Sequence, residues 1–129
     1  MDLVRVGLIV GWTSMVFGAL SGAWIGLFFA DDRWRGGYAS FDRRLLRLGH
    51  IAFFGLGFVN VLFALSERAV PLSPFPRLGA AIGFGVAALT MPLCCFLSAW
   101  RRGFLRLFPL PVVSTLIGLF CLLGGWVIP

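Results

Sequence analysis

His50 is the only histidine in the chain, and Arg43, Arg47, His50 and Phe54 follow one another at steps of four, three and four. On a helix those steps bring side chains onto one face. The face would carry two guanidinium groups, with an imidazole about one turn further along. A b-type haem suits such a stripe, with His50 on the iron and Arg43 and Arg47 receiving the propionates. A quinone headgroup or an anionic lipid would use the same groups. One histidine supplies one axial ligand, so the sixth position would have to come from a symmetric dimer, a partner subunit or a non-protein ligand. The plainer alternative is a neutral histidine hydrogen-bonded near the membrane interface, where polar groups cost little.

Three further groups carry weaker signals. Cys94 and Cys95 are adjacent, with Met91 one turn before them; soft sulfur donors at these offsets suit Cu(I), and buried inert thiols are the commoner outcome. No disulfide is expected. Asn60 reads as an interhelical hydrogen bond. Pro92 removes a backbone bond from any helix containing it, and Thr90 is placed to help satisfy the freed carbonyls.

The elements that position these residues follow from where charge is missing. No Asp, Glu, Lys or Arg occurs from Val6 to Ala30, Leu48 to Ser66, Leu78 to Trp100 or Leu107 to Pro129, runs of 25, 19, 23 and 23 residues. A helix needs roughly 20 apolar residues to cross a 30 Å hydrocarbon layer. The sequence therefore predicts an all-α integral membrane protein, a single four-helix bundle spanning residues 1–129, with spans near 6–30, 48–66, 78–100 and 107–128. With 60% hydrophobic and 12% charged residues, the chain is excluded from the soluble enzymes, disordered tails and secreted disulfide scaffolds. The first apolar run is too long for the core of a cleavable signal peptide and is expected to stay in the mature chain.

All eleven basic residues are arginine. Eight lie in the connections after the first and third runs (Arg33, Arg35, Arg43, Arg44, Arg47, Arg101, Arg102, Arg106), and three lie on the other side (Arg5, Arg68, Arg77). That asymmetry predicts both termini outside and the two arginine-rich connections in the cytoplasm, in a bacterial plasma (inner) membrane. The charge of +6 then faces anionic headgroups; arginines that flank spans do not make a nucleic-acid-binding domain. Ser40 is placed to cap the second helix, with Asp42 in its first turn, and Phe41, Leu45 and Leu48 share a face, which predicts an interfacial turn before the span. Pro71, Pro74 and Pro76 predict a stiff, non-helical connector from Val70 to Arg77. Trp100 and Trp126 stand near span ends as interfacial anchors.

Small residues at steps of four let helix backbones meet where lipid leaves no hydrophobic force between helices. Gly18, Gly22 and Gly26 form such a row in the first helix. Gly79 and Gly83 offer a shorter one in the third, and Ser114, Gly118, Cys121 and Gly125 make a stripe in the fourth. Fourteen phenylalanines exceed what four short helices can enclose, so many rings are expected to face lipid, a partner or a cofactor.

Length and span count resemble small multidrug-resistance exporters, but those carry a glutamate in helix 1 and this helix has none. Asn60 with Phe53 and Phe63 resembles the pore lining of fluoride channels, whose glycine-alanine-arginine motif is missing here. Neither family is carried over. No span holds an acidic residue, so a proton-coupled transporter would lack its relay, and no catalytic constellation is present. The expectation is a small accessory or scaffold subunit of a larger membrane complex, respiratory or photosynthetic among others, contacting partner subunits or a second copy of itself. The alternatives are a haem b or quinone protein using His50, and an oligomeric channel or transporter lined by Asn60 and Thr90.

Overall fold

The structure, a computed structural model, describes residues 2–127 and is helical throughout, with no strand among them. Four helices are long and apolar enough to cross a membrane: α1 (Leu3–Gly26), α2 (Phe41–Ala69), α3 (Pro74–Trp100) and α4 (Pro109–Val127). Two 3-10 turns, Trp34–Gly36 and Arg102–Leu107, lie in the connections.

The helix ends differ from the uncharged runs, each for a local reason. α1 starts at Leu3 because Asp2 caps it, accepting from Val4 N at 3.1 Å. It ends at Gly26, where the bonds tighten to the i→i+3 pattern through Phe29. α2 starts at Phe41, with Ser40 Oγ accepting from Arg43 N at 3.2 Å. The connector expected to be non-helical up to Arg77 is shorter than that. Pro74 occupies the first position of α3, where a missing N–H removes no helical bond, so only residues 70–73 lie outside helix. At its other end α3 passes through Pro92, which is fully buried, and continues to Trp100. Thr90 Oγ1 donates to the Val86 carbonyl at 2.7 Å, its own i−4 partner, and not to the Ala88 carbonyl that Pro92 leaves free.

The helices run up and down in chain order, but they do not close into a square. α1 packs on α2, α2 on α3 and α3 on α4, and α1 reaches α3 lightly; α4 is also tied to the connector after α2, where Trp126 Nε1 donates to the Val70 carbonyl at 3.4 Å. Two small apolar clusters tie the ends together. Leu45, Leu46 and Ala99 pack with Phe96, Leu105 and Phe108 at the arginine-rich end, and Phe63, Leu72, Ala80 and Phe84 pack at the other.

Candidate functional site

The stripe built from Arg43, Arg47, His50 and Phe54 does form a face of α2, and α1 lies against it. Gly18 and Gly22 give α1 a surface without side chains. A Cβ added at Gly22 would strike the His50 ring, and one at Gly18 would lie 2.7 Å from Phe54 Cε2. The imidazole is held edge-on to this groove. His50 Nδ1 is 2.8 Å from the Gly18 carbonyl, which can only accept, so Nδ1 carries the proton. Ser21 Oγ donates to the same carbonyl at 2.9 Å and lies 3.4 Å from His50 Nδ1. Phe54 meets the imidazole edge-to-face at 5.5 Å.

Arg43 is 3% exposed and fully engaged. Its Nη1 donates to the Asp31 carbonyl at 3.0 Å, and its Nη2 to Phe28 at 3.2 Å and Phe29 at 3.4 Å. These carbonyls follow the end of α1, where the helix leaves acceptors without intrahelical partners and the dipole favours a cation. The guanidinium also lies 5.2 Å from the Trp34 ring and 5.5 Å from the Tyr38 ring. Arg47 meets the same Tyr38 ring, its Cζ 4.3 Å from the ring centroid. Thus Arg43 closes one helix end while His50 locks a helix pair. A haem or quinone on this face would have to draw Arg43 off three carbonyls and lift the imidazole from Gly22. Five hollows on the helix surfaces are lined without Arg43, Arg47 or His50.

The other singled-out residues separate. Asn60, 2% exposed, donates both amide hydrogens to main-chain carbonyls, Leu56 at 2.9 Å on its own helix and Phe84 at 3.1 Å on α3. Neither Asn60 nor Thr90 offers its donor to a path between helices. Gly83 meets the α4 backbone, with Gly118 N 2.6 Å and the Ser114 carbonyl 2.7 Å from an added Cβ; Gly118 in turn receives the Phe84 ring, and Gly79 receives Cys121. Gly26 has nothing within 4 Å and takes no part in the row that Gly18 and Gly22 form. Cys94, Cys95 and Cys121 are free thiols, the first two buried, and no cluster of three metal-ligating side chains occurs among the described residues.

Two polar devices escaped the reading of the sequence. Arg35 sits at φ 53°, ψ 34°, the left-handed region, followed by Gly36 and Gly37 at positive φ. That turn sends its guanidinium to the end of α3, where Nη1 donates to the Ala99 carbonyl at 3.0 Å and Cζ lies 4.4 Å from the Trp100 ring. The Gly-Gly pair hinted at the turn, but nothing hinted at its target. Glu67, 5% exposed, accepts from Leu72 N at 3.2 Å, and its Oε1 lies 3.0 Å from Arg77 Nε. The Arg77 N–H is not aimed along that line, so the contact is ionic and not a straight hydrogen bond. A lone acid opposite an arginine across a proline loop was a legible signal.

Comparison with protein-family models, with curated proteins and with solved structures finds no match for this chain. Function therefore rests on the residues themselves. What they build is a set of clasps, with one open feature beside them. A groove of about 510 Å³ runs between α2 and α4, floored by Met91 of α3 and walled by α2 from Leu48 to Val59 and α4 from Pro111 to Leu116. A second hollow of about 320 Å³ lies between α1 and α3 over Phe53.

Proposed function

We propose that this chain is an integral protein of a bacterial plasma membrane, crossing the bilayer four times with both termini outside, and that it serves as a small accessory or scaffold subunit of a larger membrane complex. The observation that carries the reading is how the strongly polar side chains of the helices are used. His50, Asn60 and Glu67 all point into contacts within the chain, and Arg35 and Arg43 close the ends of α3 and α1. What the helices present outward is apolar. Of the most apolar stretch of each helix, 22% in α1 and 17% in α4 is buried, against 44% in α3. Phe17 on α1 and Phe120 on α4 stand exposed. Bare apolar faces on the two flanking helices suit partner helices, pigments or lipid.

Orientation rests on the arginines that remain accessible. Arg33, Arg44, Arg101, Arg102 and Arg106 are exposed at one end, against Arg5 and Arg68 at the other, and the richer end belongs in the cytoplasm. Affinity purification from native membranes in mild detergent, followed by native mass measurement, tests the subunit reading. Other proteins are expected in fixed ratio, and a lone monomer or homodimer refutes it. A Gly103→Cys variant, at a site with open space around it, tests the orientation. An impermeant thiol reagent should label it only in inside-out vesicles.

A further inference from the structure

We propose that the groove between α2 and α4 binds one anionic phospholipid, an acyl chain lying along the groove and the phosphate held by Arg44 and Arg102. The proposal rests on membrane insertion as read above and adds the ligand of a particular site. Three observations support it.

The groove has the depth of a single leaflet. Its α2 wall runs from Leu48 to Val59, about 16 Å at 1.5 Å per residue, or roughly half of a 30 Å hydrocarbon layer. Its α4 wall lies in the arginine-end half of that helix and its α2 wall runs from that end to just past the helix middle, so it leads from that membrane face to about the midplane. Its lining is aliphatic, with Gly55 leaving room where a side chain would otherwise stand.

The two elements that wall the groove also bring cations to its mouth. A smaller hollow lined by Phe41, Arg44, Leu45 and Leu48 shares Leu48 with the groove. The Phe41 ring is approached by Arg44 Cζ at 5.9 Å and by Arg102 Cζ at 5.2 Å. One arginine comes from α2 and the other from the turn that leads into α4, so both walls deliver a charge to one place.

Those charges are uncompensated. Both arginines are exposed, and the one ion pair among the described residues is Arg77 with Glu67 at the opposite end. Arg35 and Arg43 are engaged on helix ends, whereas Arg44 and Arg102 hold only an aromatic face. Basic hollows between membrane helices on the cytoplasmic side are suited to acidic headgroups, and arginine offers a planar fork that matches phosphate oxygens.

The test reconstitutes the whole protein into vesicles of phosphatidylglycerol and phosphatidylcholine, confirms insertion by flotation, and counts retained lipid by native mass spectrometry after extraction. One phosphatidylglycerol per chain should be retained over phosphatidylcholine. R44Q should weaken that preference roughly fivefold, with R102Q doing the same. Gly55→Leu should expel the lipid while the helical circular dichroism stays unchanged. R33Q, an exposed arginine away from the groove, should leave the preference intact. Equal retention of both lipids, a preference surviving R44Q/R102Q, or an R33Q effect as large as that of R44Q overturns the proposal. So does a Gly55→Leu variant that keeps the lipid. A chain that fails to float overturns the membrane reading itself, and with it this one.

Discussion

The two helical hairpins are joined by different physics. Between α1 and α2 backbone meets backbone at Gly11 and Gly57, Gly22 and Gly18 receive the His50 and Phe54 rings, and polar bonds fasten the seam at Gly18 and beyond the end of α1. Between α3 and α4 backbone likewise meets backbone at Gly83 and Gly118, and Gly118 and Gly79 receive Phe84 and Cys121, but no side-chain hydrogen bond crosses from one helix to the other among the described residues. A directional bond to a named carbonyl fixes rotation and register together. Close backbone approach fixes distance alone, and leaves rotation to the shapes above and below. Different substitutions should therefore open the two seams.

The largest effect is expected where nothing can move aside. Gly83→Leu drives a side chain into the α4 backbone, and α3 is the helix on which α4 chiefly packs, so the variant should lose about 3 kcal/mol in detergent unfolding. Loss of α4 packing should show as new protease cleavage between residues 101 and 109; an unchanged midpoint would mean that the seam is looser than described. Arg43→Met comes next. It keeps the volume and leaves three carbonyls without their donor, at a cost of about 2 kcal/mol, and Arg43→Lys should restore only part, because one ammonium lacks the guanidinium's spread of donors. His50→Ala removes the bond to Gly18, worth about 1 kcal/mol, together with the ring that fills the Gly22 groove. Its visible spectrum should match the parent's; a Soret band present in the parent and lost in this variant would show the histidine to be a haem ligand and break the comparison. Smallest of all, Gly26→Leu meets open space and should change stability by less than about 0.5 kcal/mol. A larger loss would show that the glycine row extends further than its contacts do.

Much of this architecture was legible. Gaps between charges located all four helices, and Ser40 announced the cap it makes because a hydroxyl three residues before a free N–H is a purely local arrangement. The face shared by Arg43, His50 and Phe54 was equally plain, since helical periodicity alone generates it. What lay opposite that face was not. The same three residues would serve a haem edge or a neighbouring backbone, and the choice depends on α1 folding back so that its glycines and its terminal carbonyls arrive there. Gly26 illustrates the limit from the other direction. It belongs to the same sequence row as Gly18 and Gly22, yet a Cβ placed on it meets nothing within 4 Å.

Local chemistry therefore determined the number of helices, the caps made by Asp2 and Ser40 and the sorting of charge to the helix ends, because these depend on residues within one or two turns of each other. Only the tertiary structure decided that Arg43 and Arg35 close the ends of α1 and α3, that α4 packs chiefly on α3, and that an apolar groove opens beside a pair of unpaired arginines. Each of these joins residues dozens of positions apart, and their meeting depends on which helix faces come together, a choice that spacing along the chain leaves open.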